Sequence, residues 1–128
     1  MATWRDMADE AQRDAATLKS SGRLRGAINR CYYALLSHVA FVASKSGYTM
    51  PAGWEGPSHV AVYEGGIVAN HLRHRVNPVD QGRLIWIAAT LYKLRCDADY
   101  SPSSEFADSD VRLAFGRLLE ARKILGGL

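Results

Sequence analysis

From Cys31 to Ala43 the chain reads Cys-Tyr-Tyr-Ala-Leu-Leu-Ser-His-Val-Ala-Phe-Val-Ala, with Ser37 and His38 the only polar residues. At 3.6 residues per turn this places apolar side chains on every face of a helix, and such a helix has to be surrounded by others. Leu84 to Leu94 repeats the pattern, interrupted only by Thr90 and Lys93. No apolar run reaches the eighteen residues that would suggest a membrane span. Two greasy helices that must be covered, and no segment alternating as a strand would, predict an all-α bundle.

Punctuation residues supply the other elements. Thr3, followed three residues later by Asp6, matches a capping box and opens a first helix. Its stripe is Trp4, Met7, Ala8, Ala11, Ala15 and Leu18, and Ser20-Ser21-Gly22 ends it. The second helix is expected over about Gly22 to Ser46, with Leu24, Ala27, Ile28, Cys31, Leu35, Val39 and Val42 as its main stripe and Gly47 as its terminator. Residues 47–57 read as a Gly- and Pro-rich loop. A weaker third helix is expected over about Ser58 to Leu72, where Gly65-Gly66 marks either a break or a close backbone approach. Asn77-Pro78 is a strong start signal for the fourth helix, which should end between Cys96 and Tyr100, before Ser101-Pro102. A fifth begins after Ser109 or Asp110, carries Val111, Ala114, Phe115, Leu118 and Leu125, and stops at Gly126-Gly127. With 128 residues, 48% of them apolar, residues 1–128 suffice for a single-domain up-and-down bundle of about five helices.

Charge is blocked along the chain. Lys19, Arg23, Arg25 and Arg30 fall in a stretch without an acid, and Arg73 and Arg75 sit in a second basic segment with His71 and His74. Asp97, Asp99, Glu105, Asp108 and Asp110 form an acidic segment without a cation. The net charge of +3 is compatible with a nucleic-acid partner without demanding one. Lys19, Arg23, Arg25, Arg73 and Arg75 are the candidate phosphate contacts. Cys31 and Cys96, sixty-five positions apart, form neither a zinc motif nor a disulfide framework. Reduced thiols and a charged N-terminus without an apolar segment point to a cytoplasmic location. His71 and His74 share a helical face, but no acid or thiol nearby completes a metal shell, so neither metal nor cofactor is expected. Walker A, dinucleotide, Gly-x-Ser-x-Gly and His-Glu-x-x-His patterns are all missing.

Three stretches remain: Arg30 to His38 in the buried second helix, Ser58-His59 opening the third, and Leu91 to Tyr100 closing the fourth. An arginine in an apolar helix needs a partner, and Arg95 shares a face with Asp99 four residues on. Tyr100 is turned from Arg95 by about 140°. Two readings stand side by side: a buried Arg–Asp brace capped by tyrosine hydroxyls, or a reactive cluster.

Arg-x-Tyr-Tyr-Ala at 30–34, the Ser-His at 58–59 and Leu-Arg-x-x-Ala-Asp-Tyr at 94–100 together resemble the small HEPN domains, over about residues 5–125. The resemblance implies an up-and-down helical bundle that forms homodimers and, in bacteria, often stands beside a minimal nucleotidyltransferase in a toxin–antitoxin pair. Active members are metal-independent endoribonucleases. Their signature is an Arg followed, after about four to six residues, by a His, for phosphate binding and general acid–base work on the ribose 2′-OH. Here the fifth residue after Arg95 is Tyr100, and seven residues separate Arg30 from His38, so the signature is degenerate. The resemblance makes Arg95, Tyr100, Asp99, Arg30, His38 and His59 the candidate catalytic residues, and Tyr100 a candidate for adenylylation by the partner. The function it implies is an RNA-binding component of a toxin–antitoxin or defence system. The alternative is a non-catalytic helical module that docks a nucleotidyltransferase.

Overall fold

The computed structural model describes residues 2–53 and 56–126. Its first helix, α1 (Trp4–Ser20), begins where the capping box places it. Thr3 Oγ1 accepts from the Asp6 N–H at 3.1 Å, and the Asp6 carboxylate accepts from the Thr3 N–H at 2.8 Å. Gly22, at φ +72°, turns the chain sharply into α2 (Leu24–Lys45). The second helix therefore starts two residues later than expected, because Gly22 is used for its left-handed backbone and not for a helical turn. Gly47, at φ +92°, follows the end of α2 as expected.

The third element corrects the sequence reading. In place of one helix to Leu72 there is a five-residue α3 (His59–Tyr63), capped by the Ser58 hydroxyl on the Ala61 N–H at 3.0 Å. A π-helical turn follows at Val68–Leu72. Of the two reasons offered for the glycine pair, the break is the one found, and what approaches Gly65 is a side chain and not another backbone. Its φ is +82°, and a Cβ there would lie 2.6 Å from Ile85 Cδ1. The chain must break to bring this backbone against the next helix.

That helix, α4 (Pro78–Tyr100), starts with the Asn77 side chain accepting from the Asp80 N–H at 2.8 Å. The last, α5 (Asp108–Gly126), starts slightly earlier than expected. Asp110 reaches back to the Ala107 N–H at 2.7 Å, capping the helix from inside its first turn instead of preceding it. Gly127, part of the expected stop, lies outside the described residues.

Four long helices alternate in direction. Arg122 near the end of α5 meets His38 late in α2 and Asp9 early in α1. Arg95 and Asp99, late in α4, meet Tyr33 and Asn29 in the first half of α2. Arg83 of α4 pairs with Glu120 of α5. So α2 is the central rod, touched by α1, α4 and α5, as its all-round apolarity requires. Tyr32 and Leu35 of α2 are buried with Ile87 and Leu91 of α4 and Leu118 and Leu125 of α5, while Ile28 packs in a second cluster with Ala98 and Val111.

Two faces read as apolar do not close. On α4, Trp86 stays 47% exposed, its ring flanked by the Arg83 and Arg117 guanidiniums at 4.6 and 5.2 Å. Cations stacked on an indole shield it from water without burying it. On α1, Ala8, Ala11 and Ala15 are buried, yet Met7 is 44% exposed. Among the described residues, the N-terminal end of that stripe is only partly covered. No helix among the described residues is long and apolar enough to cross a membrane.

Candidate functional site

The face where α2 meets α4 gathers most of the residues singled out from the sequence. Arg95, one turn from the end of α4, is 8% exposed. Its Nε donates to Asp99 Oδ2 at 3.0 Å, and Nη2 donates to the hydroxyls of Tyr33 at 3.2 Å and Tyr100 at 3.3 Å. The guanidinium also lies 5.4–5.7 Å from the ring centres of Tyr100, Tyr33 and Tyr32. Burial alone would lower its pKa. The Tyr33 and Tyr100 phenols and the Asp99 carboxylate outweigh that and hold it charged, above its ordinary value.

Arg30 joins from α2. Its carbon centre stands 5.1 Å from the Tyr33 ring, the ring that Arg95 approaches at 5.5 Å. The two guanidiniums are also linked by hydrogen bonds. Arg30 Nε and Nη2 donate to Asn29 Oδ1 at 2.9 and 2.7 Å, Asn29 Nδ2 donates to the Asp99 carboxylate at 3.0 and 3.2 Å, and that carboxylate accepts from Arg95. Asn29 was not singled out from the sequence. As an ordinary polar residue at a helix surface, it carried no signal.

His59 enters at the first turn of α3. Its Nδ1 lies 2.6 Å from the Tyr32 hydroxyl, and its ring is 5.7 Å from that of Tyr92. Burial, and then the nearby Arg95 charge, lower the His59 pKa, which keeps the ring neutral at pH 7. Burial also raises the Tyr32 pKa, so that phenol stays protonated. Tyr32 is fully buried, and His59 is its only hydrogen-bond partner among the described residues. Its proton is therefore satisfied by donating to Nδ1, which leaves the His59 proton on Nε2. The imidazole then presents a donor, not a base.

His38 stands apart from this cluster. It is 2% exposed and accepts from Arg122 Nε at 2.9 Å. Arg122 also donates to Gln12 Oε1 and Asp9 Oδ1, each at 2.5 Å. Burial first, then the Arg122 and Arg5 charges, push the His38 pKa down to about 4. This network ties α1, α2 and α5 together, and α2 separates it from Arg95.

The candidate phosphate contacts also divide. Arg25 is half-buried and faces backbone. It donates to the carbonyls of Ala98 at 2.9 Å and Ser101 at 3.1 Å, and to that of Ser104, with Phe106 beneath it at 5.2 Å. It caps the end of α4 and holds the α4–α5 connection, which leaves it little to offer a phosphate. Arg73 and Arg75 are exposed and, among the described residues, their side chains hydrogen-bond only to His74 and Ser46. Arg23 is exposed and Lys19 half-exposed at the α1–α2 turn. Cys31 is buried, its thiol pushed up to about 12 by that burial, and Cys96 is half-buried beside Arg95. Among the described residues, no group of three His, Cys, Asp or Glu side chains stands close enough to hold a metal.

Beside Arg30 and Tyr33 a cavity of about 420 Å³ opens, walled by Trp4 and Met7 of α1, Leu36 of α2, and His59. In the sequence Trp4 and Met7 carry no sign of this, because their spacing continues the buried stripe of α1. No family model, no curated protein and no solved structure matches this chain.

Proposed function

We propose that the chain is an RNA-binding component of a toxin–antitoxin or defence system, of the HEPN type that its motifs resemble. The observation that carries this reading is the convergence of Arg30 and Arg95 on the single ring of Tyr33. Residues from two motifs, sixty-five positions apart, meet at one ring, and Arg30 and Tyr33 also line the cavity beside it. Arg95 is held charged and immobile, and Arg30 stands half-exposed beside it. Paired guanidiniums on an aromatic platform suit a phosphate next to an unstacked base.

Binding, and not cleavage, is the part of the family's activity that this geometry supports. Ribonuclease chemistry without a metal needs a base near the ribose 2′-OH. His59 presents a donor, His38 is committed to Arg122, and Tyr100 occupies the position of the signature histidine. A homodimer built along the α2–α4 face would place two such clusters side by side. Tyr100, 72% exposed with its hydroxyl on Arg95, is the residue offered to an adenylylating partner. Transfer to its oxygen from a nucleoside triphosphate would release pyrophosphate.

A second reading is favoured by one specific feature. Nε and Nη2 of Arg95 are already occupied by Asp99, Tyr33 and Tyr100, as they would be in a brace inside a non-catalytic docking module. Filter binding separates the two. RNA binding that weakens steeply between low and moderate salt, and falls further in Arg30→Ala, supports the first reading. Affinity that does not respond to salt or to Arg30 supports the second. Incubation with RNA in EDTA should leave the RNA intact. Cleavage abolished by Arg95→Ala in a folded variant would overturn the restriction to binding.

A further inference from the structure

We propose that the cavity between the start of α1 and the middle of α2 is a pocket for one unpaired nucleotide, with the base inside and its phosphate at Arg30. The inference rests on the RNA-binding reading above and deepens it, because Arg30, Tyr33 and His59 of the motifs are joined by Trp4, Met7 and Leu36, which the motifs do not contain. Its volume of about 420 Å³ lies within the range of small-molecule sites, about 300–1,000 Å³. The lining has two kinds of surface. Trp4, Met7 and Leu36 provide apolar and aromatic contact area, while Arg30, Tyr33 and His59 provide polar groups along one side.

The polar groups are set for a particular ligand. Arg30 Nε and Nη2 are pinned by Asn29, and Nη1 has no hydrogen-bond partner among the described residues. A rigid guanidinium with one donor edge free is an anion site. His59, neutral and protonated on Nε2, adds a donor for a base-edge acceptor. Trp4 and Tyr33 are platforms for a planar ring. Met7 is 44% exposed, and its flexible thioether adapts to a bound ring. A planar ring carrying an anion meets every one of these groups, whereas a purely apolar ligand would leave Arg30 unanswered. The ring and its anion have two sources, a nucleotide of single-stranded RNA or a free nucleoside monophosphate.

The pocket forms because the α1 stripe outruns its cover. Trp4 reaches the loop before α3, where a Cβ on Gly56 would stand 3.1 Å from the indole edge. Gly56 lets that loop close over one side of the indole, and the other side stays open to the cavity.

The test measures fluorescence anisotropy of a short labelled single-stranded RNA and of a duplex RNA of equal phosphate count. Calorimetry with adenosine monophosphate gives the second arm. Single-stranded RNA should bind more tightly than duplex. Trp4→Ala and Met7→Glu should each weaken the single strand by about tenfold and leave the duplex unchanged. Arg30→Ala should lower the slope of log affinity against log salt by about one. Met7 is exposed, so Met7→Glu keeps the fold even if Trp4→Ala does not, and circular dichroism reports on both. Arg112→Ala, on the outer face of α5, controls for loss of a surface charge. If RNA binds but folded Met7→Glu and Trp4→Ala match the parent, the pocket is refuted and the RNA-binding reading survives. If RNA fails to bind while adenosine monophosphate binds and Met7→Glu weakens it, the pocket holds and the RNA-binding reading fails. If neither ligand binds, the proposal is overturned.

Discussion

Two arginines flank the central helix, and they are put to different uses. Arg122 donates through Nε, Nη1 and Nη2 to His38, Gln12 and Asp9, groups on two other helices. Arg95 takes its carboxylate from its own helix, one turn on, and among the described residues hydrogen-bonds to the adjacent helix only through the Tyr33 hydroxyl. Its other phenol partner, Tyr100, is 72% exposed. The first arrangement locks helices together. The second fixes a cation among phenols, one of which, Tyr100, is open to water. A buried guanidinium is thus a brace or part of a site according to where its acceptors are anchored, and burial alone does not tell the two apart.

The contrast is sharpest in acid. His38 titrates near 4 in the folded protein against an ordinary value of 6.5. A histidine with a lowered folded pKa stabilises the fold above its unfolded value, and that stability is lost as the pH falls from 6.5 towards 4. The loss from His38 should approach about 3 kcal/mol, read as a falling denaturant midpoint across that window. His38→Asn keeps an acceptor for Arg122 but cannot be protonated, so its slope should be much flatter. An unchanged slope would place the acid sensitivity elsewhere, His59 being the next candidate since its pKa is also lowered.

Removing the brace itself comes next. Arg122→Ala should cost about 2–3 kcal/mol, because two acceptors lose their partner while Asp9, 41% exposed, turns to water. The affinity of the folded fraction for RNA should not change. If chemical denaturation shows no loss, the comparison breaks on the structural side. Arg95→Ala should cost about 1–2 kcal/mol through lost phenol contacts and an Asp99 carboxylate left with Asn29 as its partner, and it should also weaken RNA binding. Arg30→Ala should move stability by no more than about 0.5 kcal/mol, since the side chain is half-exposed, and should still weaken RNA binding severalfold. Tyr100→Phe is expected to be the mildest, at about 0.5 kcal/mol or less, because that hydroxyl is open to water.

Most of the helical architecture was legible in the sequence because it rests on local signals. Thr3 with Asp6, Gly47, and Asn77 with Pro78 each act within one turn, and each appears where expected. The third helix was misread because Gly65 answers to Ile85, a contact twenty residues away. The Arg95–Asp99 pair was legible because the spacing of one turn is fixed by the helix. The link through Asn29 to Arg30 was not, since it depends on how α2 and α4 are set against each other. Arg122 left a faint trace, a cation in the stripe between Leu118 and Leu125. Only the approach of His38 and Asp9 gave that trace a meaning.

By itself the sequence determined that two apolar helices would form and need covering, where helices start and stop, and that Arg95 and Asp99 share a face. These follow from the helical period and from capping chemistry, which act over a few residues. The tertiary structure alone decided that Arg25 faces carbonyls, that His38 belongs to a brace, and that Trp4 and Met7 border a cavity instead of the core. A side chain's donors and its exposure are set by elements far away in the chain, and no local period encodes which of those elements will arrive.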